Sequence, residues 1–337
     1  MPNLQTNYMG IELKNPIIVG ASELVSDPNN LKLIEESGAG AIVYKSLYEE
    51  QLQLEASQLH DDLEEYAERN AEMISLFPEL NHAGPAEHLM HLRAARKQLS
   101  IPLFASINAV NAETWVDFAQ QIEETGVDGL ELNFYSVPSS FEHSSSEIEK
   151  QQIDNLKAVK AAVKIPVAVK LSPNYANPLH FIKQLDAAGA DAVVLFNRFY
   201  QPEIDINTEQ HVAKFNLSTN YENRQSIRFA GLLHQNIKAT IVGNSGIHSG
   251  EDVIKLLLAG ADATQLVSTL YRNKIPYLTH ILNDISAWME KHHYKSIDDF
   301  KGKLSHKLLK DPFVYQRGQY IDMLIHSDKT LNQNYQV

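Results

Sequence analysis

Short apolar runs alternate along this chain with longer stretches whose apolar residues fall at helical spacing. Runs of strand type occupy residues 15–20, 40–45, 102–107, 126–133, 166–171, 189–197, 240–242 and 263–267. They are apolar throughout rather than alternating, as expected of parallel strands buried on both faces. Helices are predicted over 29–37, 86–98, 112–124, 147–163, 178–188, about 224–235, 252–259 and 276–291. A phrase of glycine, a small residue, aspartate and an apolar run recurs from Gly126, Gly189 and Gly260. Each glycine can end a helix and each run can start a strand.

Eight such units predict an α/β chain folded as a closed (β/α)8 (TIM) barrel. An open doubly wound sheet is the runner-up, but no Gly-x-Gly-x-x-Gly turn follows the first strand. Residues 46–101 are too long for a simple connection. They hold an acidic helical stretch (49–69), a turn region (77–85) and a helix, and read as an insertion or lid over the barrel mouth, after the second strand. A second long loop spans 198–221, so long loops cover the C-terminal face. Residues 1–337 read as a single domain, with about 292–337 as a C-terminal extension.

The late stretch Ile241-Val-Gly-Asn-Ser-Gly-Ile-His-Ser-Gly250 reads as strand, turn and helix start, with Ser249 as N-cap. Gly243, Ser245 and Gly246 are small enough for backbone N–H groups to approach an anion, and Ser268-Thr269 opens a second such turn. The pair matches the phosphate site of a (β/α)8 barrel. Ordinary βα turns are the plain alternative.

In such a barrel the working residues stand at the C-terminal strand ends. Here these are Ala21-Ser22, Lys45-Ser46, Asn108, Asn133, Lys170, Asn197-Arg198, Gly243 to Gly246 and Ser268-Thr269. Two lysines end buried runs, which is costly unless each amine meets an anion, a polar ring or a carboxylate, or snorkels to solvent. Together with the asparagines they point to a polar planar ligand.

Composition narrows the chemistry. The 337 residues are 44% hydrophobic, enough for a large core, and include no cysteine, which removes disulfides, thiolate metal sites and a cysteine base. A formal charge of −13 argues against nucleic acid or an anionic membrane as partner. Residues 1–10 have no signal-peptide pattern and no apolar run reaches bilayer length, so a soluble cytoplasmic protein is expected. His82, His88 and His91 lie close together, but a solvated helix accounts for them better than a metal site; no metal is expected. The acidic pairs Asp61-Asp62 and Glu64-Glu65 read as a solvated face.

The chain resembles the dihydroorotate dehydrogenase family of FMN-dependent barrel enzymes. The matching stretches are Asn15-Pro-Ile-Ile-Val-Gly-Ala-Ser22, Gly40-Ala-Ile-Val-Tyr-Lys-Ser46, Gly129-Leu-Glu-Leu-Asn133, Val167-Ala-Val-Lys-Leu-Ser-Pro173, Gly243-Asn-Ser-Gly-Ile-His-Ser-Gly-Glu-Asp252 through Leu270, and Tyr294-Lys-Ser-Ile-Asp-Asp-Phe-Lys-Gly-Lys-Leu304.

The resemblance implies FMN across the barrel mouth, with its phosphate near Gly243, Ser245, Gly246, Ser268 and Thr269. Lys170 would stand by the pyrimidine edge of the ring. Ala21, Ser22, Lys45 and Asn133 would contact flavin or substrate, and Asn197 would hydrogen-bond substrate. The base position falls on Ser136, which needs a neighbour or water to take its proton. The implied reaction oxidises dihydroorotate, or a related cyclic carboxylate, by proton abstraction and hydride transfer to flavin. A homodimer is compatible with it.

The substrate half departs from the family. Val137-Pro138 replaces Pro-Asn, and Arg198 stands where a small hydroxyl residue is usual. No Asn-Ser-Met-Gly-type loop is recognisable between Ser75 and Pro85, where Asn81 and Gly84 are nearest, and 214–224 lacks the usual glycine pair. The chain therefore resembles a dihydroorotate dehydrogenase-like branch, with Arg198 as a candidate carboxylate ligand. Two other functions fit the same residues: a non-flavin lyase or isomerase holding a sugar phosphate, and a flavin-binding protein without dihydroorotate activity.

Overall fold

The computed structural model describes residues 2–50, 85–135, 141–198, 201–212 and 216–327. The chain enters through an antiparallel hairpin, β1 (Thr6–Tyr8) and β2 (Ile11–Leu13). It turns at Met9 and Gly10, whose φ angles of 54° and 83° suit a two-residue hairpin loop. There follow β3 (Ile17–Val19), β4 (Ala41–Val43), β5 (Leu47–Tyr48), β6 (Leu103–Asn108), β7 (Gly129–Phe134), β8 (Val167–Leu171) and β9 (Ala192–Leu195). A second hairpin, β10 (Glu203–Asp205) and β11 (Gln210–Val212), precedes β12 (Thr240–Asn244) and β13 (Ala263–Leu266).

Strands β3, β4, β6, β7, β8, β9, β12 and β13 pair in that order, each parallel to the next, and β13 pairs back to β3. The sheet is a closed eight-stranded barrel, with the short β5 added along the far end of β6. Helices α1 (Pro28–Glu36), α2 (Ala86–Gln98), α3 (Ala112–Glu123), α4 (Ser145–Ala162), α5 (Pro178–Ala187), α6 (Asn223–Leu233), α7 (Gly250–Ala259), α8 (Ser268–Asn273) and α9 (Tyr277–Lys291) fall between and after the strands.

The strands are apolar on both faces for two reasons. Ile17, Val19, Leu130, Leu132, Val167, Val169 and Val193 face outward and share one cluster with the buried helix residues. Ile18, Val43, Phe104, Ala168, Val194, Val242 and Ala263 face inward and share a second cluster with Tyr8, Met9 and Leu13 of the N-terminal hairpin. The hairpin thus stoppers the lower end of the barrel. Tyr8 meets Phe104 edge-on with centroids 4.9 Å apart, and Thr6 Oγ1 donates to the backbone of Asp262 at 2.7 Å.

The recurring glycine–aspartate phrase has a physical basis. Gly126, Gly189 and Gly260 have φ of 82°, 96° and 120°, a left-handed turn after a helix that glycine adopts without strain. Each following aspartate accepts the N–H at the start of the preceding strand of the barrel. Asp128 takes Leu103 N at 2.8 Å, Asp191 takes Val167 N at 2.7 Å and Asp262 takes Ile241 N at 2.8 Å. Each also meets a cation, Arg96, Lys160 and Lys301 respectively.

The expected elements need three corrections. Loop 198–221 contains the β10–β11 hairpin. Helix α9 is followed by another, α10 (Arg317–Ile325), which buries no residue. Ser268 and Thr269 are the first residues of α8 rather than an open turn. The acidic stretch 49–69 and the turn 77–85 fall almost wholly outside the described residues. Among the described residues, no helix is long and apolar enough to cross a membrane.

Candidate functional site

Moving up the inside of the barrel, the inward positions change from apolar to polar. Two residues above Phe104 on β6 stands Ser106, and above Ala168 on β8 stands Lys170. On β7 the inward pair is Glu131 and Asn133, and β13 contributes Gln265. The alternation that packs the lower barrel therefore aims polar groups at its mouth. A cleft of about 560 Å³ opens there, within the range of small-molecule sites.

Lys170 lines the cleft floor and is 7% exposed. Its Nζ donates to Gln265 Oε1 at 3.1 Å and lies 3.4 Å from Glu131 Oε1. Gln265 Nε2 donates in turn to Glu131 Oε2 at 2.5 Å. The amine is held by partners and does not snorkel. Lys45, on the opposite wall, pairs with Glu23 at 2.7 Å, and both residues line the cleft. Ala21 and Ser22 line it as well, and the buried Ser22 Oγ has no hydrogen-bond partner.

Asn197 faces the cleft and donates through Nδ2 to Asn133 Oδ1 at 2.7 Å. Asn133 is buried behind it. The Asn197 oxygen accepts Arg198 N at 2.8 Å, which fixes the amide and leaves one N–H and one oxygen lone pair for a ligand. Arg198 lines the rim, but Nε pairs with Glu222 Oε2 at 3.0 Å, so the guanidinium expected to meet a substrate carboxylate already holds one of the protein's own.

At the other end of the cleft, Ser245 and Gly246 have φ of 68° and 70°. A side chain on Gly246 would collide with the backbone of Asn223 and Thr219. Gly246 N donates to Ser218 Oγ at 3.3 Å, and Ser218 N donates to Ser268 Oγ at 3.1 Å. Ser218, Ser245, Gly246 and Ser268 all line the cleft, and although these N–H groups bond within the cluster and the Ser245 hydroxyl donates to Phe196 O at 2.9 Å, an anion could take over such donors.

Two residues expected there lie elsewhere. Gly243 faces outward, where a Cβ would come within 2.7 Å of the Leu256 methyls, so its smallness serves strand–helix packing. Thr269 is fully buried and its hydroxyl bonds to His248 O at 3.3 Å. Ser136, Val137, Pro138 and His82 lie outside the described residues. His88, expected on a solvated face, instead stands edge-on to Tyr44 with its Nε2 buried and unpartnered. Burial, then the nearby Lys45 charge, pulls its pKa down to about 4. Among the described residues no cluster of ligating side chains could hold a metal.

The sequence pattern left several site residues unread. Glu131 shares a face with Asn133, so a count of two along β7 would have found it, whereas Gln265 has no singled-out residue at that spacing. Tyr48 lines the cleft with polar contacts from Ser46 and Asn133, and burial raises its pKa. Ser46 in turn bonds Ser106 at 2.7 Å. Ser218 lies in a loop with no regular pattern to mark it.

These residues fit a flavin mononucleotide. The orphaned Ser22 hydroxyl, the lysine held on the floor and the N–H and hydroxyl cluster at one end match a polar ring carrying one phosphate. Comparison with known proteins agrees. The sequence model described as "Dihydroorotate dehydrogenase" matches residues 3–289. The catalytic subunit of dihydroorotate dehydrogenase B (NAD(+)) of Methanocaldococcus jannaschii is 28% identical over 302 residues, covering 86% of this chain and 94% of the relative. The corresponding subunit of Thermoplasma acidophilum is 26% identical, over 90% and 99%. Dihydroorotate dehydrogenase A (fumarate) of Lactobacillus delbrueckii subsp. bulgaricus is 26% identical over the same shares. With the family match running through every strand of the barrel, the chain belongs to the dihydroorotate dehydrogenase family, whose members are FMN-dependent oxidoreductases.

Proposed function

We propose that the chain oxidises a small carboxylate-bearing ring, dihydroorotate or a close relative, in the cleft at the barrel mouth. The observation that carries this reading is the Lys170–Glu131–Gln265 group on the floor of a cleft whose far end gathers N–H and hydroxyl donors. Bound FMN supplies the hydride acceptor. Gly246, Ser218, Ser245 and Ser268 hold its phosphate, and Lys170 offers a fixed positive charge where negative charge develops. Ala21, Ser22 and Lys45 form the opposite wall.

The substrate half is built from donors. The N–H left on Asn197 suits a ring carbonyl or a carboxylate, with Asn133 fixing the Asn197 amide from behind. Arg198 exchanges Glu222 for the substrate carboxylate, a swap between like partners for a planar guanidinium. Ser136 takes the ring proton and passes it to water, since an unassisted serine is a weak base. Work in the cytoplasm and assembly as a homodimer complete the proposal, and fractionation and gel filtration test them.

The test is anaerobic mixing of the purified yellow protein with dihydroorotate while flavin absorbance is followed. Bleaching supports the reading. A protein that holds no FMN after reconstitution, or holds FAD, overturns the cofactor assignment. A yellow protein that dihydroorotate does not bleach moves the search to other carboxylate rings.

A further inference from the structure

We propose that Glu131 is a positioning residue: it sets how much of the positive charge of Lys170 reaches the cleft. In its main readout the inference rests on the flavin reading above.

Glu131 is 1% exposed, a carboxylate sealed inside the barrel one pleat below Asn133. Its two oxygens are divided between two neighbours. Oε2 accepts Gln265 Nε2 at 2.5 Å, and Oε1 faces Lys170 Nζ at 3.4 Å. Lys170 makes its shorter contact, 3.1 Å, with the oxygen of Gln265. One side chain each from β7, β8 and β13 thus closes a triangle across the barrel. The Gln265 amide is fixed in orientation because its nitrogen serves the carboxylate and its oxygen serves the ammonium.

Lys170 and Gln265 line the cleft, whereas Glu131 does not. The carboxylate stands behind the lysine as seen by a ligand. The same carboxylate cancels much of the field that the ammonium would project upward. Seen from the cleft, the group is a dipole with its positive end forward rather than a free cation. Below it stands Tyr8, whose ionisation is opposed by burial and then by the Glu131 charge, so the phenol stays neutral. Glu131 is therefore the countercharge to Lys170 in this layer.

A group built this way lets a ligand gain negative charge without being locked in that state. Removing the carboxylate exposes the full ammonium. Lys170 still borders the open cleft and keeps Gln265 as its acceptor. An anionic ligand form then gains over a neutral one.

The experiment compares the midpoint potential of bound FMN at pH 7 in the parent protein and in Glu131→Gln. The expected result is an increase of about tenfold in the preference for reduced over oxidised flavin, an upward shift of about 30 mV for a two-electron couple. An unchanged or lower potential overturns the proposal, since a residue that only packs the barrel alters stability and leaves the potential in place. Glu131→Asp keeps the charge and should return most of the shift. A shift in Glu131→Asp as large as in Glu131→Gln counts against it.

A second measurement needs no flavin and serves where Glu131→Gln does not fold. Lys170→Met leaves the carboxylate buried without its cation, and adding Glu131→Gln removes that burden. The double variant should melt above Lys170→Met alone. Equal or lower melting overturns the pairing. A protein that binds no FMN would sink the functional reading while the melting comparison still decides this one.

Discussion

The two halves of the barrel interior are made by the same strands and do opposite things. In the lower half Ile18, Val43, Phe104, Ala168 and Val242 close on Tyr8, Met9 and Leu13 of the N-terminal hairpin. In the upper half Ser106, Glu131, Lys170 and Gln265 take the next inward positions along the same strands. One pleat separates a plug from a site. The comparison teaches that this barrel does not trade stability against chemistry residue by residue. It assigns them to successive layers, and the lower layer holds the strands in register so that the upper one can keep charges out of water.

Four measurements sharpen or break that division. Phe104→Ala should cost about 3–5 kcal/mol of stability, as large aromatic truncations in cores do. Flavin content per folded molecule should stay unchanged. Flavin loss without a drop in melting temperature would show that the lower layer belongs to the site.

Lys170→Ala should slow flavin reduction by about 10²–10³, the cost of losing one preorganised charge-stabilising group, roughly 3 kcal/mol. Stopped-flow reduction checks this. A rate equal to the parent's would make the upper layer mere packing.

His88 tests where the apolar region ends on the outside. Its pKa is about 4 in the folded protein against 6.5 for a free histidine. The unfolded chain therefore binds the extra proton between these values, and stability present above pH 6.5 is lost as pH falls toward 4. The loss is at most roughly 3 kcal/mol. Thermal melts of the parent and His88→Phe across this window should converge at high pH and separate at low pH, with the variant less acid-sensitive.

The smallest effect is expected at the anion end. Ser249 caps α7, its hydroxyl accepting Asp252 N while the Asp252 carboxylate takes Ser249 N. Ser249→Ala should lower stability by about 1 kcal/mol. Denaturant titration checks it. A larger loss of FMN affinity than of stability would place the cap inside the site.

The barrel was legible because burial on both strand faces leaves unbroken apolar runs, and because Gly126, Gly189 and Gly260 mark the ends of α3, α5 and α7. The N-terminal hairpin was not read, although two short alternating runs flank Met9-Gly10. Hairpin β10–β11 had no signal to read, since its residues are exposed on both faces apart from a half-buried Asp205. Helix α10 buries nothing, so no stripe marks it.

Strand ends were legible in the sequence, and Lys45, Lys170 and Asn197, read there, all line the cleft at the barrel mouth. Pairing was not. Glu131 and Gln265 lie 134 residues apart, and nothing local in either stretch announces the other. The role of a glycine was also hidden: Gly243 and Gly246 look alike in sequence, yet one makes room for a leucine and the other for a turn.

The stopper at the lower end has a consequence for how the chain is made. Thr6 finishes its contact only with the backbone of Asp262, 256 residues later. β3 likewise waits for β13 as one of its two neighbours. At a synthesis rate of about 5–20 residues per second, the first hairpin leaves the ribosome roughly 13–50 s before its seat exists. During that time β3 offers an unpaired edge, and Tyr8 and Leu13 have no barrel to enter. The segment that seals the finished molecule is thus the one a nascent chain must shelter longest.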